Sequence, residues 1–203
     1  LDSAKVRRFG SLIDLGKNFL IVVAVYVLCH GVTALVVTPA QKLFLSDITV
    51  FASLIYLPHG VRVLATWLSG WRAVIPLFAG GLLSEVMFTP ALVFDFLEPV
   101  ILWSISVGAM SAYVSFVLIK FLGRDLFADR ERVMDWKWLL IAGAVASFVN
   151  SVGQVIVFSG LIVPDDLFAV LVTYAIGDLV GLYVSMLVLM MVFRWMRLFL
   201  DAK

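Results

Sequence analysis

Charge is what this 203-residue sequence has least of: Asp, Glu, Lys and Arg together make up 14% of it, against about 25% in soluble domains. Cysteine is nearly missing as well. Cys29 stands alone inside an apolar run, which excludes an intrachain disulfide and any cysteine-based metal motif. There is no HExxH, no GxSxG, no glycine-rich phosphate loop and no Cys/His cluster. Paired catalytic aspartates and a Ser/His pair, the equipment of intramembrane proteases, are not evident either. The expectation is a protein without enzymatic activity, resident cofactor or metal. Nucleic acid is excluded as a partner because the basic residues form no patch of their own. Long polar stretches are lacking too, so no soluble catalytic or output domain fits between the apolar segments.

What the sequence has is hydrophobic residues, 63% of the chain, with a mean hydropathy of +1.10. A membrane-spanning helix takes about 20 residues to cross a hydrocarbon core about 30 Å thick, so this content furnishes about six. The fold class that follows is all-α, a polytopic transmembrane bundle of six spans. The spans are placed at 19–37, 48–69, 73–93, 99–122, 138–160 and 168–193. Lys5, Arg7 and Arg8 precede an apolar run too long for a signal peptide and without a small-residue cleavage site, so the first span is read as retained. Pro58-His59-Gly60 interrupts the second span. One reading is two half-helices, the inner one starting near Val61 with its amides aimed at midmembrane, a favourable place for an anion. The other is an ordinary proline kink.

Basic residues set the orientation. With the N-terminus cytoplasmic, 13 of the 15 basic residues fall on the inner side, from Lys5, Arg7, Arg8 and Lys17 to Arg194, Arg197 and Lys203. The outer side keeps Lys42 and carries Asp47, Asp95, Glu98, Asp165 and Asp166. Both termini are therefore expected in the cytoplasm of a bacterial cell, the chain sitting in the inner membrane. Trp71-Arg72, Trp136-Lys137-Trp138 and Arg194-Trp195 read as interfacial anchors in the lipid bilayer. The connection Gly123–Lys137 (GRDLFADRERVMDWK) is the one sizeable cytoplasmic loop. It reads as a solvated turn or short amphipathic helix, or as a docking surface for a protein partner.

Ionisable groups inside a membrane cost several kcal/mol unless paired or hydrated. Three need explaining: Arg62, Glu85 and Asp178, joined by Asn150 and Gln154 on the fifth span. Counting about 1.5 Å per residue from the inner boundary puts Arg62 about 10 Å deep and the others about 18 Å or more. The reach of an arginine side chain lets all five share one layer. They form either a structural ion pair of Arg62 with Glu85 or Asp178, or a polar pocket for a ligand, with His59 beside it. Asn150 and Gln154 share one face with Ala142 and Ala146, flanked by Ser147 and Ser151, as in a small-and-polar packing seam. Gly177, Gly181 and Ser185 form a second such seam, used within the chain or in a homo-oligomer. His30 and His59 lie at similar depth on consecutive spans, as axial ligands of a haem would, though a histidine also bonds a neighbouring helix without binding anything.

Two stretches carry a family resemblance. One runs Leu57-Pro58-His59-Gly60-Val61-Arg62, then Gly70-Trp71-Arg72-Ala73-Val74-Ile75-Pro76 and Phe78-Ala79-Gly80-Gly81; the other is Gly177-Asp178-Leu179-Val180-Gly181. In this order they resemble the MASE1 family of bacterial membrane sensor domains, over about a third of the chain. Those domains are generally longer, with about eight spans, and precede a kinase or cyclase module. The resemblance therefore implies a shortened, stand-alone relative that signals through another protein, and it supplies no ligand.

Three functions are compatible with these residues. The first is a non-enzymatic sensory or ligand-binding module with its pocket around Arg62, Glu85, Asn150, Gln154, Asp178 and His59. The second is the substrate-binding component of a small-molecule transporter, although the first span lacks the Ala-xxx-Ala docking face of vitamin-importer subunits. The third is an accessory subunit whose buried charges serve packing alone.

Overall fold

The computed structural model describes residues 3–43, 53–89, 98–128, 135–158 and 167–201. Helix α1 (Ser3–Val32) runs through a π-helical turn, Thr33–Val37, into the short α2 (Thr38–Lys42). Pro39 explains the widened turn: it has no amide to give and its ring crowds the carbonyl one turn back. Next come α3 (Leu57–Ser69), a 3-10 turn at Gly70–Ala73 and α4 (Val74–Phe88). The last three helices are α5 (Pro99–Phe121), α6 (Trp136–Phe158) and α7 (Leu167–Asp201). No strand occurs among the described residues.

Five helical segments among those residues are long and apolar enough to cross a membrane: Asp14–Lys42, Leu57–Phe88, Pro99–Phe121, Trp136–Phe158 and Val172–Val192. The segment Leu57–Phe88 is not a straight rod. Gly70 takes φ +57°, a conformation that L side chains rarely adopt, and the chain turns there. Tyr26 proves the reversal. Its hydroxyl bonds Arg62 on α3, and its ring packs on Gly80 of α4. On one continuous helix those two positions would lie about 27 Å apart. α3 and α4 are therefore antiparallel legs, each packed on α1.

The expected second span needs correcting. Helix occupies Leu57–Ser69 only, with Pro58 in its first turn, where a proline sacrifices no hydrogen bond. Ser53 to Tyr56 are not helical, and 48–52 lie outside the described residues. Pro58-His59-Gly60 is thus the start of a helix, neither a kink nor a joint between two half-helices. The expected third span, 73–93, is helical over Val74–Phe88, with 90–93 outside the described residues. The first, fifth and sixth spans differ from expectation chiefly at their ends. So do the helical limits of the loop 123–137: its described residues up to 128 are non-helical and helix resumes at Trp136. Its middle, 129–134, lies outside the described residues, as do Asp47, Asp95, Asp165, Asp166 and Lys203.

α3 is the centre of the bundle, packed on α1, α5, α6 and α7. Pro58, His59, Gly60, Val61, Arg62, Val63, Ala65 and Thr66 are all buried. Its approach to α7 is set by small residues. A Cβ at Gly177 would overlap the carbonyl of Ser53, and one at Gly181 the carbonyl of Tyr56. Gly60 lies against Ser185 in the same way. The Gly177/Gly181/Ser185 seam is therefore used within the chain. It lets non-helical backbone sit deep in the bundle because partners satisfy it. The Tyr56 amide donates to the Gly177 carbonyl (2.9 Å), the Leu54 amide to Gln41 (2.8 Å) and the Leu57 amide to the Thr33 hydroxyl (3.3 Å).

One end of the bundle collects the turn Gly70–Ala73 and the connection from α5 to α6. Exposed aromatic side chains sit here, Trp71 and Trp136 among them. Basic groups lie over them: the Arg124 guanidinium is 4.0 Å from the Trp138 ring centroid and the Lys137 ammonium 5.7 Å from that of Trp136.

Candidate functional site

At the opposite end the helices line an open-mouthed cavity of about 370 Å³. Arg62, Glu85, Asn150, Gln154 and Asp178 all line it. Residues 85, 150, 154 and 178 come from three different helices, so only the fold brings them to Arg62. His59 does not line it. The wall is completed by Tyr26, His30, Thr33 and Thr38 from the first helical segment, Tyr56 ahead of α3, Ser104 on α5 and Tyr174 on α7. Thr38, Ser53, Thr89 and Phe158 carry the lining to the end where the chain leaves α2, α4 and α6. The π-helical turn contributes here, setting Thr33, Ala34 and Thr38 on the cavity side.

Arg62 is the unusual member. Its side chain is 5% exposed, and its guanidinium Nη2 donates to the hydroxyls of Tyr26 (3.0 Å) and Tyr56 (3.3 Å). Both rings lie within cation–π range, with Cζ 5.8 Å and 5.1 Å from their centroids. Nε and Nη1 have no hydrogen-bond partner among the described residues. The expected ion pair of Arg62 with Glu85 or Asp178 is not formed. Among the described residues the acid–base contacts are His59–Asp178, which is an ion pair only if the imidazole is protonated, and the surface pair Lys120–Asp125. Gly108 makes room for the guanidinium, since a Cβ there would overlap it.

Asp178 is occupied elsewhere. Its Oδ2 accepts from Asn150 Nδ2 (2.9 Å) and lies 3.4 Å from His59 Nδ1. The other ring nitrogen of His59, Nε2, is 3.1 Å from the Gly143 carbonyl. Gln154 extends the chain: its amide donates to Asn150 Oδ1 (3.3 Å) and to the Ser104 carbonyl (3.0 Å), and it accepts from the Ser104 hydroxyl (2.8 Å). One polar ladder thus ties α5, α6, α7 and α3 together, and it forms one wall of the cavity. Glu85 stands apart from it. Its Oε2 accepts from the Thr89 hydroxyl at 2.5 Å, and no basic side chain among the described residues pairs with it.

The two histidines have separate surroundings. His30 lies between the rings of Tyr26 and Phe88, at centroid distances of 6.4 Å and 5.9 Å, and borders the cavity. His59 is completely buried on the α6–α7 side of α3. They do not face each other across a shared space, as a haem would require.

Sequence reasoning missed the tyrosines. Tyr26, Tyr56 and Tyr174 fall inside apolar runs and read there as ordinary interior or interfacial residues. The available signal was Arg62 itself, since a buried guanidinium without a carboxylate demands other oxygen acceptors. No family model matches the chain, and no curated protein or solved structure matches it.

Proposed function

We propose that this protein is a non-enzymatic membrane module that binds a small polar ligand between its helices and reports the binding to a partner protein. The observation that carries the reading is the state of Arg62: buried, bordering a cavity of about 370 Å³, with two nitrogens lacking partners among the described residues. An arginine kept only for packing would be paired with an acid, because an uncompensated buried charge costs several kcal/mol. The cavity volume is at the small end of the range, ~300–1,000 Å³, in which such spaces hold small organic molecules.

The chain is read as crossing the bacterial inner membrane six times, with both termini cytoplasmic. α3 forms a short crossing of about 20 Å, completed by the half-buried stretch 53–56. Counting Leu57–Phe88 as one crossing would send Arg124, Lys137, Arg194 and Arg197 to the outer side, against the positive-inside pattern. On the six-crossing reading the cavity lies in the outer half and the Gly123–Lys137 connection is cytoplasmic.

α3 links the two. It contributes Arg62 to the cavity wall, and five residues on its Trp67 carbonyl accepts from the Ala128 amide of the connection (2.9 Å). A ligand that draws Arg62 off its tyrosines, or disturbs Asp178 and hence His59, displaces α3 and with it that connection. The MASE1-like stretches support the sensory reading because their residues sit at these places: the turn Gly70–Ala73, the start of α3, and Asp178 between the two close-approach glycines.

Extraction from native membranes in mild detergent, followed by mass spectrometry, tests this. A small molecule should co-purify and be lost in Arg62→Ala. If Arg62→Ala fails to accumulate and Glu85→Gln with Asp178→Asn rescues it, the charges serve packing and the accessory-subunit reading replaces ours. A transport role is favoured by one observation, the reach of the cavity lining to Thr38 and Thr89 at the outer end. Co-purification of an ATP-hydrolysing partner would support it over sensing.

A further inference from the structure

Resting on that ligand-binding reading, the charges in the cavity wall define the ligand's class. Asp178 is engaged by Asn150 and His59. That leaves Arg62 and Glu85 as the charged lining groups with no oppositely charged group in ion-pair contact among the described residues. Arg62 carries buried N–H groups on Nε and Nη1 that nothing among the described residues accepts. Among the described residues the Glu85 carboxylate accepts from the Thr89 hydroxyl alone.

A purely anionic ligand would satisfy Arg62 but add negative charge to a low-dielectric space already holding the Glu85 carboxylate. A purely cationic one would satisfy Glu85 and leave two buried guanidinium donors unpaired. Either leaves one of the two groups without an opposite charge in a space where protein replaces much of the water, which costs free energy. We infer that the cavity binds a small zwitterion, its oxyanion on the Arg62 guanidinium and its ammonium on the Glu85 carboxylate. A free amino-acid-like molecule has this chemistry, and so does the phosphoethanolamine headgroup of a lipid. The hydroxyls of Tyr26 and Tyr56 hold the guanidinium through Nη2 at the cavity wall.

The test uses the purified full chain in nanodiscs of phosphatidylglycerol alone, which carries no ammonium. Unfolding is followed by tryptophan fluorescence at millimolar concentrations of the common α- and ω-amino acids. Each is paired with its carboxylate-only and amine-only analogue. At least one amino acid should raise the Tm while its two analogues do not. Arg62→Lys, which keeps the charge but removes the unpaired guanidinium donors, should weaken that binding about tenfold or more. Glu85→Gln should weaken it too and narrow the gap between amino acid and carboxylate. Glu85 is half-buried, so this variant keeps the test alive if the arginine variant misfolds. A shift seen only when phosphatidylethanolamine is added identifies the lipid headgroup as the source. Equal shifts from amino acid and single-charge analogue overturn the inference, as does no shift from any probe or from phosphatidylethanolamine. A co-purifying molecule that is uncharged or singly charged overturns the zwitterion while leaving ligand binding intact. No bound molecule and no shift overturn both.

Discussion

Because Arg62 donates to two tyrosine hydroxyls and to no carboxylate, its position depends on the space that Gly108 leaves. Gly108→Ala places a methyl where the guanidinium lies, so the group must move off Tyr26, Tyr56 or both. The expected loss is about 1–3 kcal/mol, read as a lower Tm in detergent. Tyr26→Phe removes one hydrogen bond to a charge, worth about 1.5–3 kcal/mol. The double variant should lose less than the sum of the two, since both act on one guanidinium; strict additivity would mean that Gly108→Ala acts elsewhere. A second change tests the polar ladder. Asn150→Ala deprives Asp178 of its amide donor and Gln154 of an acceptor, for an expected cost of about 1–3 kcal/mol. Asn150→Asp should cost more, by setting two carboxylates side by side, and Asp178→Asn should recover part of that loss. Arg62, Glu85, Asn150, Gln154 and Asp178 stood out in the sequence because polar groups in apolar runs are expensive. The direction in which each points did not. His59 was grouped with them and is turned to the far side of α3, where Gly143 and Asp178 hold it.

At the scale of single elements, three glycines separate steric from conformational demands. A Cβ at Gly181 would overlap the backbone of Tyr56 and Leu57, which cannot be relieved by a rotamer. Gly181→Ala should therefore cost about 1–3 kcal/mol and distort the stretch that brings Tyr56 to Arg62. Gly123 has open space around it but φ +94°, so Gly123→Ala should cost about 1 kcal/mol and leave the site alone. Gly16 has open space within helix α1, and Gly16→Ala should be neutral or stabilising by up to about 1 kcal/mol. Thermal unfolding of the three variants side by side checks the order. The Gly177/Gly181/Ser185 spacing was legible as a seam, but its partner was not. It packs against non-helical backbone, which no helical periodicity announces. Pro58 was likewise legible as a break, and the direction was misjudged because upstream residues are as apolar as those of α3. Composition could not show that the chain enters the bundle there as non-helical backbone, supported by Gln41, Thr33 and Gly177.

For the whole molecule the decisive question is which ends share a side. Helical content and membrane character were legible from hydropathy alone. The reversal at Gly70 needed more than hydropathy, by which Leu57–Phe88 passes as one apolar helical stretch. The spans placed at 48–69 and 73–93 put a turn there because Trp71-Arg72 reads as an interfacial anchor. The two topologies differ in a way one experiment reads. If 57–88 makes two legs, the ends near Lys42 and Glu98 lie on the same side; if it crosses once, they lie on opposite sides and Trp71 is in midmembrane. Cys29 is the sole cysteine, so Cys29→Ala gives a clean background for single replacements at exposed positions. Lys42→Cys and Glu98→Cys should both react with a membrane-impermeant maleimide in spheroplasts. Trp71→Cys, Leu122→Cys and Lys137→Cys should react only after the membrane is opened. This pattern follows from the six-leg path together with the placement of Arg72, Arg124 and Lys137 at one end of the bundle. Labelling of Lys42→Cys and Glu98→Cys from opposite sides would sink it, and would also move the cavity from the outer half to one in contact with the cytoplasm. Labelling of both from the cytoplasmic side would keep the six crossings and invert the molecule. The ligand would then enter from the cytoplasm, and the Gly123–Lys137 connection would face away from any cytoplasmic partner.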